Sequence, residues 1–252
     1  MPPLRTIFKK EIIAEFVVPK KDSKRVIIVM DGMPSVPAKR SLLEFYAKKG
    51  FWVFHPRFRG SWESKGKFLR KSPHHDILDM IGELPRGFKD LWSGKIFKLN
   101  PRKLFLFGGS FSGPAALLCA PDPRVTKVVI AAPVIDWRVE SRIEPLSKLE
   151  RFVRAAFGEG YRFTKKDWQK LKSGKFYNPW VEQERIPGEK ILIFHAQDDD
   201  VVPYRPTLRF AENTGSKLIL FKRGGHFGSG SLMKPKFYNY VRSFLAKAAE
   251  RR

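Results

Sequence analysis

The chain contains a single cysteine, Cys119, so no disulfide can form within it. Because Cys119 falls in the apolar run of residues 115–120, a small buried side chain is favoured over a reactive thiol. No apolar run is long enough for a membrane helix, and the first residues carry charges at Arg5, Lys9 and Lys10 instead of a signal-peptide pattern. We therefore expect a soluble, cytoplasmic protein without a membrane partner.

Acidic residues are also scarce, with 25 Asp and Glu against 49 Lys and Arg and a net charge of +24. A charge of this sign and size attracts nucleic acids and anionic membranes. The basic residues are spread over the whole chain, however, and no arm or basic helix with interleaved aromatics collects them. We expect a solvated basic surface and no specific nucleic-acid site.

Two kinds of ligand site lack their usual sequence pattern. Gly108 and Gly109 are not followed by the Gly-Lys-Ser/Thr of a phosphate-binding loop. His74, His75 and Asp76 are adjacent, so their side chains diverge on a helix, and no second His or Cys pair matches them. We interpret these three residues as a helix start and expect neither a metal ion nor an organic cofactor.

What the chain does have is the material for a large core. Apolar residues make up 42% of it, and phenylalanine alone occurs 22 times, which excludes wholesale disorder. A length of 252 residues suits one large α/β domain or two small ones. The order of the predicted elements favours the single domain.

Short apolar runs typical of strands alternate with segments of helical spacing. Strands are predicted at residues 6–8, 12–18, 26–30, 51–55, 103–107, 125–131, 191–195 and 217–221. Helices are predicted at residues 38–49, 73–84, 110–120, 206–213 and 232–249, with one more helical turn within residues 85–102. This alternation predicts an α/β fold with a mostly parallel central sheet, helices on both faces and a hairpin at one edge. Residues 134–189 have no strand-like run, and we interpret them as a small helical cap inserted in a single domain of residues 1–252.

The stretch from Leu104 to Gly113 has the order of a strand, a sharp turn and a helix. Gly108 and Ser112, two residues on either side of Ser110, are small, as a strained turn requires. A serine on such a turn stands exposed at the end of a sheet. Ser110 is therefore a candidate nucleophile, although a glycine-rich turn that only reverses the chain fits this stretch equally well.

Two further strand ends carry residues that can complete a catalytic set. Residues 198–200, after one predicted strand, are three aspartates, and His226 follows the last predicted strand. Reactive groups in an open α/β sheet gather outside the carboxyl ends of the strands. The chain order of serine, aspartate and histidine is that of α/β-hydrolases. By position alone, the three aspartates are equal candidates for the acid.

These motifs resemble the α/β-hydrolase superfamily, and within it the catalytic domain of the prolyl oligopeptidase family, related esterases and dienelactone-hydrolase-like proteins. The family's Gly-x-Ser-x-Gly-Gly turn is similar to residues 108–113, with Ser112 in place of a glycine. Its His-Gly-x-x-Asp-x-x-Val-Pro-like segment is similar to residues 195–203, and its Gly-His segment to residues 225–226. The likeness spans about residues 25–248 and leaves no chain for the propeller that gates large family members.

The resemblance implies a catalytic triad of Ser110, Asp199 and His226. His226 is expected to take the proton of the Ser110 hydroxyl as it attacks, and then to pass it to the leaving group. The resemblance, and not the spacing, selects Asp199 as the acid that orients the imidazole and stabilises the imidazolium.

Two backbone N–H groups are expected to stabilise the oxyanion that forms during attack. One is that of Phe111, directly after the nucleophile. The other is that of Met33, in the turn after the strand predicted at residues 26–30.

The sequence departs from the family in this turn, since the usual His-Gly is Asp31-Gly32. A carboxylate beside a developing negative charge hinders catalysis unless a cation neutralises it. We predict that Asp31 pairs with Arg59 or Arg57, with a solvent-facing turn aspartate as the alternative. His55, at the end of a nearby strand, is expected to be a hydrogen-bonded structural histidine, with a residue that lines the pocket as the alternative.

The resemblance therefore implies a serine hydrolase whose partner is a small-molecule ester or a short peptide. Because nothing in the chain gates or anchors a peptide, we favour a carboxylesterase that acts on small or medium acyl esters through an acyl-Ser110 intermediate. The alternatives are a peptidase of the prolyl oligopeptidase type and a catalytically inactive basic binding protein.

Overall fold

A computed structural model of the protein describes residues 3–247. Its strands are β1 (Leu4–Phe8), β2 (Ile12–Val17), β3 (Arg25–Val29), β4 (Trp52–Pro56), β5 (Phe88–Lys89), β6 (Ile96–Phe97), β7 (Lys103–Gly109), β8 (Lys127–Ala131), β9 (Ile191–Ala196) and β10 (Lys217–Phe221). Its helices are α1 (Arg40–Lys48), α2 (His74–Glu83), α3 (Gly113–Cys119), α4 (Leu146–Phe157), α5 (Lys165–Gln169), α6 (Tyr204–Thr214) and α7 (Pro235–Ala246). In this part of the chain, no helix has the length and apolar character needed to span a bilayer.

Eight of the described strands form one sheet in the order β1-β2-β4-β3-β7-β8-β9-β10. The pairs β1–β2 and β2–β4 are antiparallel. Every pair from β4 to β10 is parallel. The central strands are buried on both faces and are therefore nearly continuous apolar runs. This architecture confirms the predicted mostly parallel sheet with an antiparallel hairpin at one edge.

Helices cover both faces of the sheet. Helices α1 and α7 pack in one apolar cluster, and α2, α3 and α6 pack in the other. Because side chains alternate along a strand, Leu106 and Phe107 of β7 enter opposite clusters. Cys119 of α3 is fully buried, and this burial raises the pKa of its thiol well above the ordinary value. The prediction of a small, buried and unreactive cysteine is confirmed.

The connection at residues 85–102 differs from its prediction. In place of a helical turn it holds the two short strands β5 and β6, which pair antiparallel through Phe88 and Phe97. The rings of these two residues stack with centroids 5.8 Å apart. A cross-strand aromatic pair stabilises such a ribbon, but two-residue strands are too short to give a periodic signal.

The helix predicted at residues 110–120 begins later than expected. Residues 110–112 form a 3₁₀ turn, and α3 starts at Gly113. The helix predicted at residues 232–249 is α7, which begins at Pro235 because proline suits the first turn of a helix. The predicted end of that helix, at Ala249, lies outside the described residues.

Residues 134–189 contribute no strand to the sheet and contain α4, α5 and several 3₁₀ turns. Helix α4 buries Leu146, Leu149 and Val153, whose spacing places them on one face. Trp168 of α5 is fully buried, and its indole N–H donates a hydrogen bond to the Leu146 carbonyl at 3.1 Å. The buried residues of this segment belong to the same apolar cluster as those of α2 and α3, so the segment packs on that side of the sheet.

Candidate active site

Strand β7 ends at Gly109, and the chain turns sharply at Ser110, whose φ is +49°. A positive φ is uncommon for a residue other than glycine and persists only where the surroundings hold it. The Ser110 N–H donates to the Ala132 carbonyl at 3.1 Å, and the Val134 N–H donates to the Ser110 carbonyl at 3.1 Å. The loop after β8 therefore fixes this serine turn (residues 109–112) at the carboxyl edge of the sheet.

The serine turn is tightly packed on its inner side. A Cβ atom on Gly109 would lie 2.6 Å from the Ala131 carbonyl oxygen, so no larger residue fits there. Ser112 stands where the resemblance expects glycine and is fully buried. Its hydroxyl accepts the Gly109 N–H at 3.0 Å and lies 3.2 Å from the Met30 carbonyl, to which it can donate. Ser112 therefore replaces glycine without disruption and ties the turn to the end of β3.

Asp199 and His226 approach each other from the loops that follow β9 and β10. His226 Nδ1 lies 2.9 Å from Asp199 Oδ2. The other carboxylate oxygen accepts the N–H groups of Val201 and Val202, both at 2.9 Å. Burial raises the pKa of Asp199, but hydrogen bonds from His195, His226 and Val202 lower it far below its ordinary value. Asp199 is therefore an anion at neutral pH.

A buried histidine in β9 supports the acid. His195 is fully buried, and its Nε2 lies 3.3 Å from Asp199 Oδ2 and 3.0 Å from the Val202 carbonyl oxygen. Its Nδ1 lies 3.0 Å from Thr207 Oγ1. Sequence reasoning gave His195 no role of its own. The sequence signal that could have found it is its position as the first residue of the segment 195–203, which also contains Asp199.

Asp198 has a different role from its neighbour Asp199. Its carboxylate accepts the N–H groups of Gly224 and Gly225, both at 2.9 Å, and so holds the turn that precedes His226. Gly225 has a φ of +59°, a conformation that glycine adopts without strain. Of the three successive aspartates, only Asp199 forms a hydrogen bond with His226 among the described residues.

Ser110 lines a pocket together with Val201 and Val202, whose N–H groups donate to Asp199, but no hydrogen bond between residues 3 and 247 joins its hydroxyl to His226. In hydrolases this bond is often long until a substrate binds. Ser110 is partly exposed and His226 is exposed, whereas Asp199 is buried. The arrangement leaves the serine and the imidazole accessible and shields the carboxylate from water.

The turn after β3 lies against Ser110. A Cβ atom on Gly32 would lie 3.3 Å from Ser110 Cβ, so a larger residue would crowd the serine. Met33 and Phe111 line the same pocket as Ser110. In the described part of the chain neither of their backbone N–H groups donates a hydrogen bond, which leaves both available to a substrate oxygen.

Asp31 is paired with cations, but not with the arginines that we predicted. Its Oδ2 lies 2.8 Å from His55 Nε2, and its Oδ1 lies 3.0 Å from Lys39 Nζ. Burial raises the pKa of Asp31, but His55 and Lys39 lower it to below its ordinary value. The predicted pairing with Arg57 or Arg59 is wrong, as is the solvent-facing alternative. His55 is a buried, hydrogen-bonded histidine, as expected.

Arg59, which we expected to support the site, belongs to another cluster. Its guanidinium contacts Asp76 at 2.5 Å, Asp79 at 2.8 Å and Glu11 at 2.5 Å. Three carboxylates therefore surround Arg59 and join α2 to the start of β2. Asp31 could not compete for this arginine.

His74, His75 and Asp76 lie at the start of α2, as predicted. The two imidazole rings pack against each other with centroids 4.0 Å apart. Burial lowers the pKa of His74 to about 4, so this histidine is neutral at pH 7. Within residues 3–247, no group of three His, Cys, Asp or Glu side chains is arranged to hold a metal ion.

A pocket opens in front of Ser110 and encloses about 630 Å³, part of it open to solvent. Most of its walls are apolar and come from the serine turn, from residues 134–149 and from the loop after β9. The apolar lining residues are Met33, Phe111, Val134, Ile135, Trp137, Val139, Leu146, Leu149, Val201, Val202, Pro203 and Pro206.

The charged residues that line this pocket are Asp136, Glu140 and Glu144, and the described lining includes no Lys or Arg. Asp136 is neutralised by Arg138 at 2.8 Å. The two glutamates have no ion pair among the described residues. In a chain with twice as many basic as acidic residues, the pocket therefore carries the opposite charge to the rest of the surface.

A buried tyrosine braces the serine turn from residues 134–189. The Tyr177 hydroxyl donates to the Phe111 carbonyl at 2.7 Å, and the Trp137 indole N–H donates to the Tyr177 carbonyl at 2.7 Å. Burial raises the pKa of Tyr177 well above its ordinary value, so its hydroxyl stays protonated. Sequence reasoning missed this residue, because an aromatic in a helical insertion gives no signal of such a contact.

The fold and the motifs can be compared with those of known proteins. A model of the prolyl oligopeptidase family matches residues 37–252. An esterase from Pyrococcus furiosus superposes with a TM-score of 0.68 at 15% identity, over 98% of this chain and 90% of that one. An acylaminoacyl peptidase from Pyrococcus horikoshii has a TM-score of 0.65 at 16% identity, over 100% of this chain and 42% of that one. No curated protein sequence matches the chain significantly. At these identities, the structural likeness shows a shared α/β-hydrolase fold.

Proposed function

The chain belongs to the prolyl oligopeptidase family of serine hydrolases, and we propose that it is a carboxylesterase with Ser110, His226 and Asp199 as its catalytic triad. The observation that carries this proposal is the 2.9 Å contact between His226 Nδ1 and Asp199 Oδ2, at the rim of the sheet where Ser110 lines an apolar pocket. The position of each residue shortly after a parallel strand also supports the proposal, because the carboxyl ends of such strands lie at one edge of the sheet.

The first half-reaction acylates Ser110. His226 Nε2 takes the proton of the Ser110 hydroxyl while the oxygen forms a bond to the ester carbonyl carbon. The carbonyl oxygen becomes an oxyanion, which accepts the N–H groups of Met33 and Phe111. The bond to the leaving oxygen then breaks, and His226 gives its proton to the departing alcohol. Asp199 keeps the imidazole in the right tautomer and stabilises its charged form.

The second half-reaction releases the acid. A water molecule attacks the acyl carbon, and His226 takes its proton. The bond to the Ser110 oxygen breaks, the serine recovers the proton from His226, and the carboxylic acid leaves. The low pKa of Asp199 supports this cycle, because the acid stays ionised while the imidazole gains and loses its proton.

The pocket favours a small or medium acyl group of low polarity. Its walls are mainly apolar, and an apolar lining suits an acyl chain or side chain of low polarity. The carboxylates of Glu140 and Glu144 repel anions, so uncharged or cationic esters fit better than acidic ones.

A peptidase is the second candidate. The likeness to an acylaminoacyl peptidase supports it, and a carboxylate at the pocket can hold the ammonium group of a peptide. The likeness to an esterase covers 90% of that esterase, whereas the peptidase match covers 42% of the peptidase. The match over nearly the whole esterase supports the esterase proposal.

Chromogenic substrates of the two classes, an ester and two anilides, separate the candidates. Purified protein is assayed with p-nitrophenyl butyrate and with alanyl and prolyl p-nitroanilides, with Ser110→Ala as the control for background hydrolysis. We expect fast release from the ester and slow or no release from the anilides. A preference for an anilide would favour the peptidase, and salt-sensitive RNA binding without any hydrolysis would favour a basic binding protein.

A further inference from the structure

A row of charged side chains crosses the sheet beneath the turn formed by residues 31–33, which we call the oxyanion turn. Strands β2, β4 and β3 are neighbours in the sheet, and Glu15 of β2 faces His55 of β4 in the antiparallel register. Asp31 follows β3 and lies on the other side of His55. The imidazole therefore stands between two carboxylates, one of which begins the oxyanion turn.

His55 is fully buried, and protein groups face both of its ring nitrogens. Its Nε2 lies 2.8 Å from Asp31 Oδ2. Its Nδ1 lies 3.9 Å from Glu15 Oε2 and 3.3 Å from Arg57 Nη1. Arg57 in turn contacts Glu15 at 3.0 Å, and Lys39 contacts the far oxygen of Asp31 at 3.0 Å.

These contacts provide for both protonation states of His55. In the neutral state, Nε2–H donates to Asp31 and Nδ1 accepts from Arg57. In the charged state, Nε2–H still donates to Asp31, and Nδ1–H faces Glu15. The bond to Asp31 is therefore kept, and only the charge of the ring changes.

The balance of these groups favours the charged ring. Burial lowers the pKa of His55, and Arg57 opposes the charge, but Asp31 and Glu15 raise the pKa to above its ordinary value. The same row lowers the pKa of Glu15 to about 2, because the hydrogen bonds and charges of His55 and Arg57 outweigh its burial. When the ring is charged, the row holds the carboxylates of Asp31 and Glu15 against three cations, His55, Arg57 and Lys39.

We propose that His55 is a positioning residue for the oxyanion turn, which it anchors to the sheet through Asp31 and whose carboxylate charge it offsets when protonated. This inference rests on the proposed function. An uncompensated carboxylate two residues before Met33 would repel the oxyanion, and Lys39 is partly exposed, so solvent screens its charge. Loss of the His55 proton therefore weakens stabilisation of the oxyanion without disturbing substrate binding.

The first test uses the unaltered protein. We expect kcat for a neutral ester to fall about three- to tenfold on an alkaline limb, with little change in KM, because the lost charge acts on the transition state. The titration of His55 is followed by NMR through its Cε1–H signal, which single variants can assign among the five histidines. The midpoint of the limb and the midpoint of the NMR titration are expected to coincide.

Two variants change the limb in different ways. His55→Gln keeps a neutral donor near Asp31, so kcat at pH 7 is expected to fall to the alkaline plateau of the wild type, without the limb. Glu15→Gln removes one of the carboxylates that hold the proton, so the limb is expected to move to lower pH. His75→Gln changes an exposed histidine on α2 and is expected to keep the wild-type profile.

The outcomes separate this inference from the proposed function. If kcat of His55→Gln still falls at alkaline pH as in the wild type, the proposed role of His55 is wrong. The same holds if the midpoint of this fall does not move to lower pH in Glu15→Gln. If His55→Gln does not fold, a mismatch between the kinetic and NMR midpoints of the wild type overturns this role equally. If the wild type neither hydrolyses esters nor reacts with a fluorophosphonate at Ser110, the proposed function fails, and this inference falls with it.

Discussion

Two aspartate–histidine pairs of nearly equal length, both within residues 3–247, differ in their surroundings. Asp199 and His226 are 2.9 Å apart, and Asp31 and His55 are 2.8 Å apart. The side chain of His226 is 25% exposed, whereas that of His55 is 1% exposed. Within residues 3–247, His226 Nε2 has no hydrogen-bond partner, whereas groups face both nitrogens of His55.

This difference separates two uses of the same chemical pair. A general base must exchange protons with a substrate, so it needs a free nitrogen that faces the pocket. A buried pair cannot reach the substrate, but it can fix a backbone turn and set the local charge. This difference supports our proposal of catalysis for the exposed pair and of positioning for the buried pair.

The largest expected effect comes from neutralising the acid of the exposed pair. Asp199→Asn is expected to lower kcat by about 10⁴-fold, because the amide favours the wrong imidazole tautomer. Asp200→Asn is the matched control, since Asp200 is exposed and its side chain forms no hydrogen bond within the described part of the chain. Steady-state kinetics on p-nitrophenyl butyrate measures both. Equal losses in the two variants would contradict the assignment of the acid.

The buried pair is expected to affect stability with a definite pH dependence. The raised pKa of His55 gives stability that is complete below the unfolded value of about 6.5 and is lost as the pH rises through the folded value. The lowered pKa of Asp31 gives stability that is present above about 3.9 and is lost as the pH falls. In urea unfolding, His55→Gln should therefore have a lower free energy of unfolding than the wild type, and this difference should become smaller as the pH rises through the folded pKa of His55. A difference that grows with pH would contradict the charged state of His55.

Tyr177→Phe tests how the serine turn is braced. The change leaves the Phe111 carbonyl without its donor and is expected to cost about 1–3 kcal/mol of unfolding free energy, with a several-fold loss of kcat. Tyr46→Phe is the matched control, since the Tyr46 hydroxyl is equally buried and donates to the Leu232 carbonyl at 2.7 Å, away from the pocket. It should lose stability but keep kcat. A similar kcat loss in both variants would mean that Tyr177 acts only through stability.

The smallest expected effect concerns the charge of the pocket. Glu140→Gln with Glu144→Gln is expected to lower kcat/KM for a cationic ester about two- to tenfold relative to a neutral ester of the same shape. Glu184→Gln, an exposed change elsewhere in residues 134–189, is the control. If the ratio of kcat/KM for the cationic ester to kcat/KM for the neutral ester does not change, these glutamates do not affect substrate choice.

The exposed pair could be predicted from sequence, and the buried pair could not. Each residue of the predicted triad, Ser110, Asp199 and His226, follows an apolar strand and lies in a short family motif. These residues could therefore be recognised from their neighbours in the sequence. The partners of Asp31 depend on the sheet order, which places β4 between β2 and β3. The sequence does not indicate which cation will contact a carboxylate on a turn. Arg59, one of the two arginines that we predicted for Asp31, contacts three other carboxylates.

The same reasoning holds for the fold. The long apolar strands were predicted because burial on both faces imposes a continuous apolar run. The strands β5 and β6 were missed because an aromatic pair between Phe88 and Phe97, and not a periodic pattern, holds them together. The 3₁₀ turn at Ser110 was missed because its backbone is set by contacts with the loop after β8.

The central claim is that Ser110 is a nucleophile activated by His226, and covalent labelling tests it most directly. The protein is treated with a fluorophosphonate, and the modified residue is located by mass spectrometry of its peptides. We expect a single adduct on Ser110, with a labelling rate that falls by orders of magnitude in His226→Ala while that variant stays folded. Labelling of another residue, or an unchanged rate in the folded His226→Ala variant, would contradict the account.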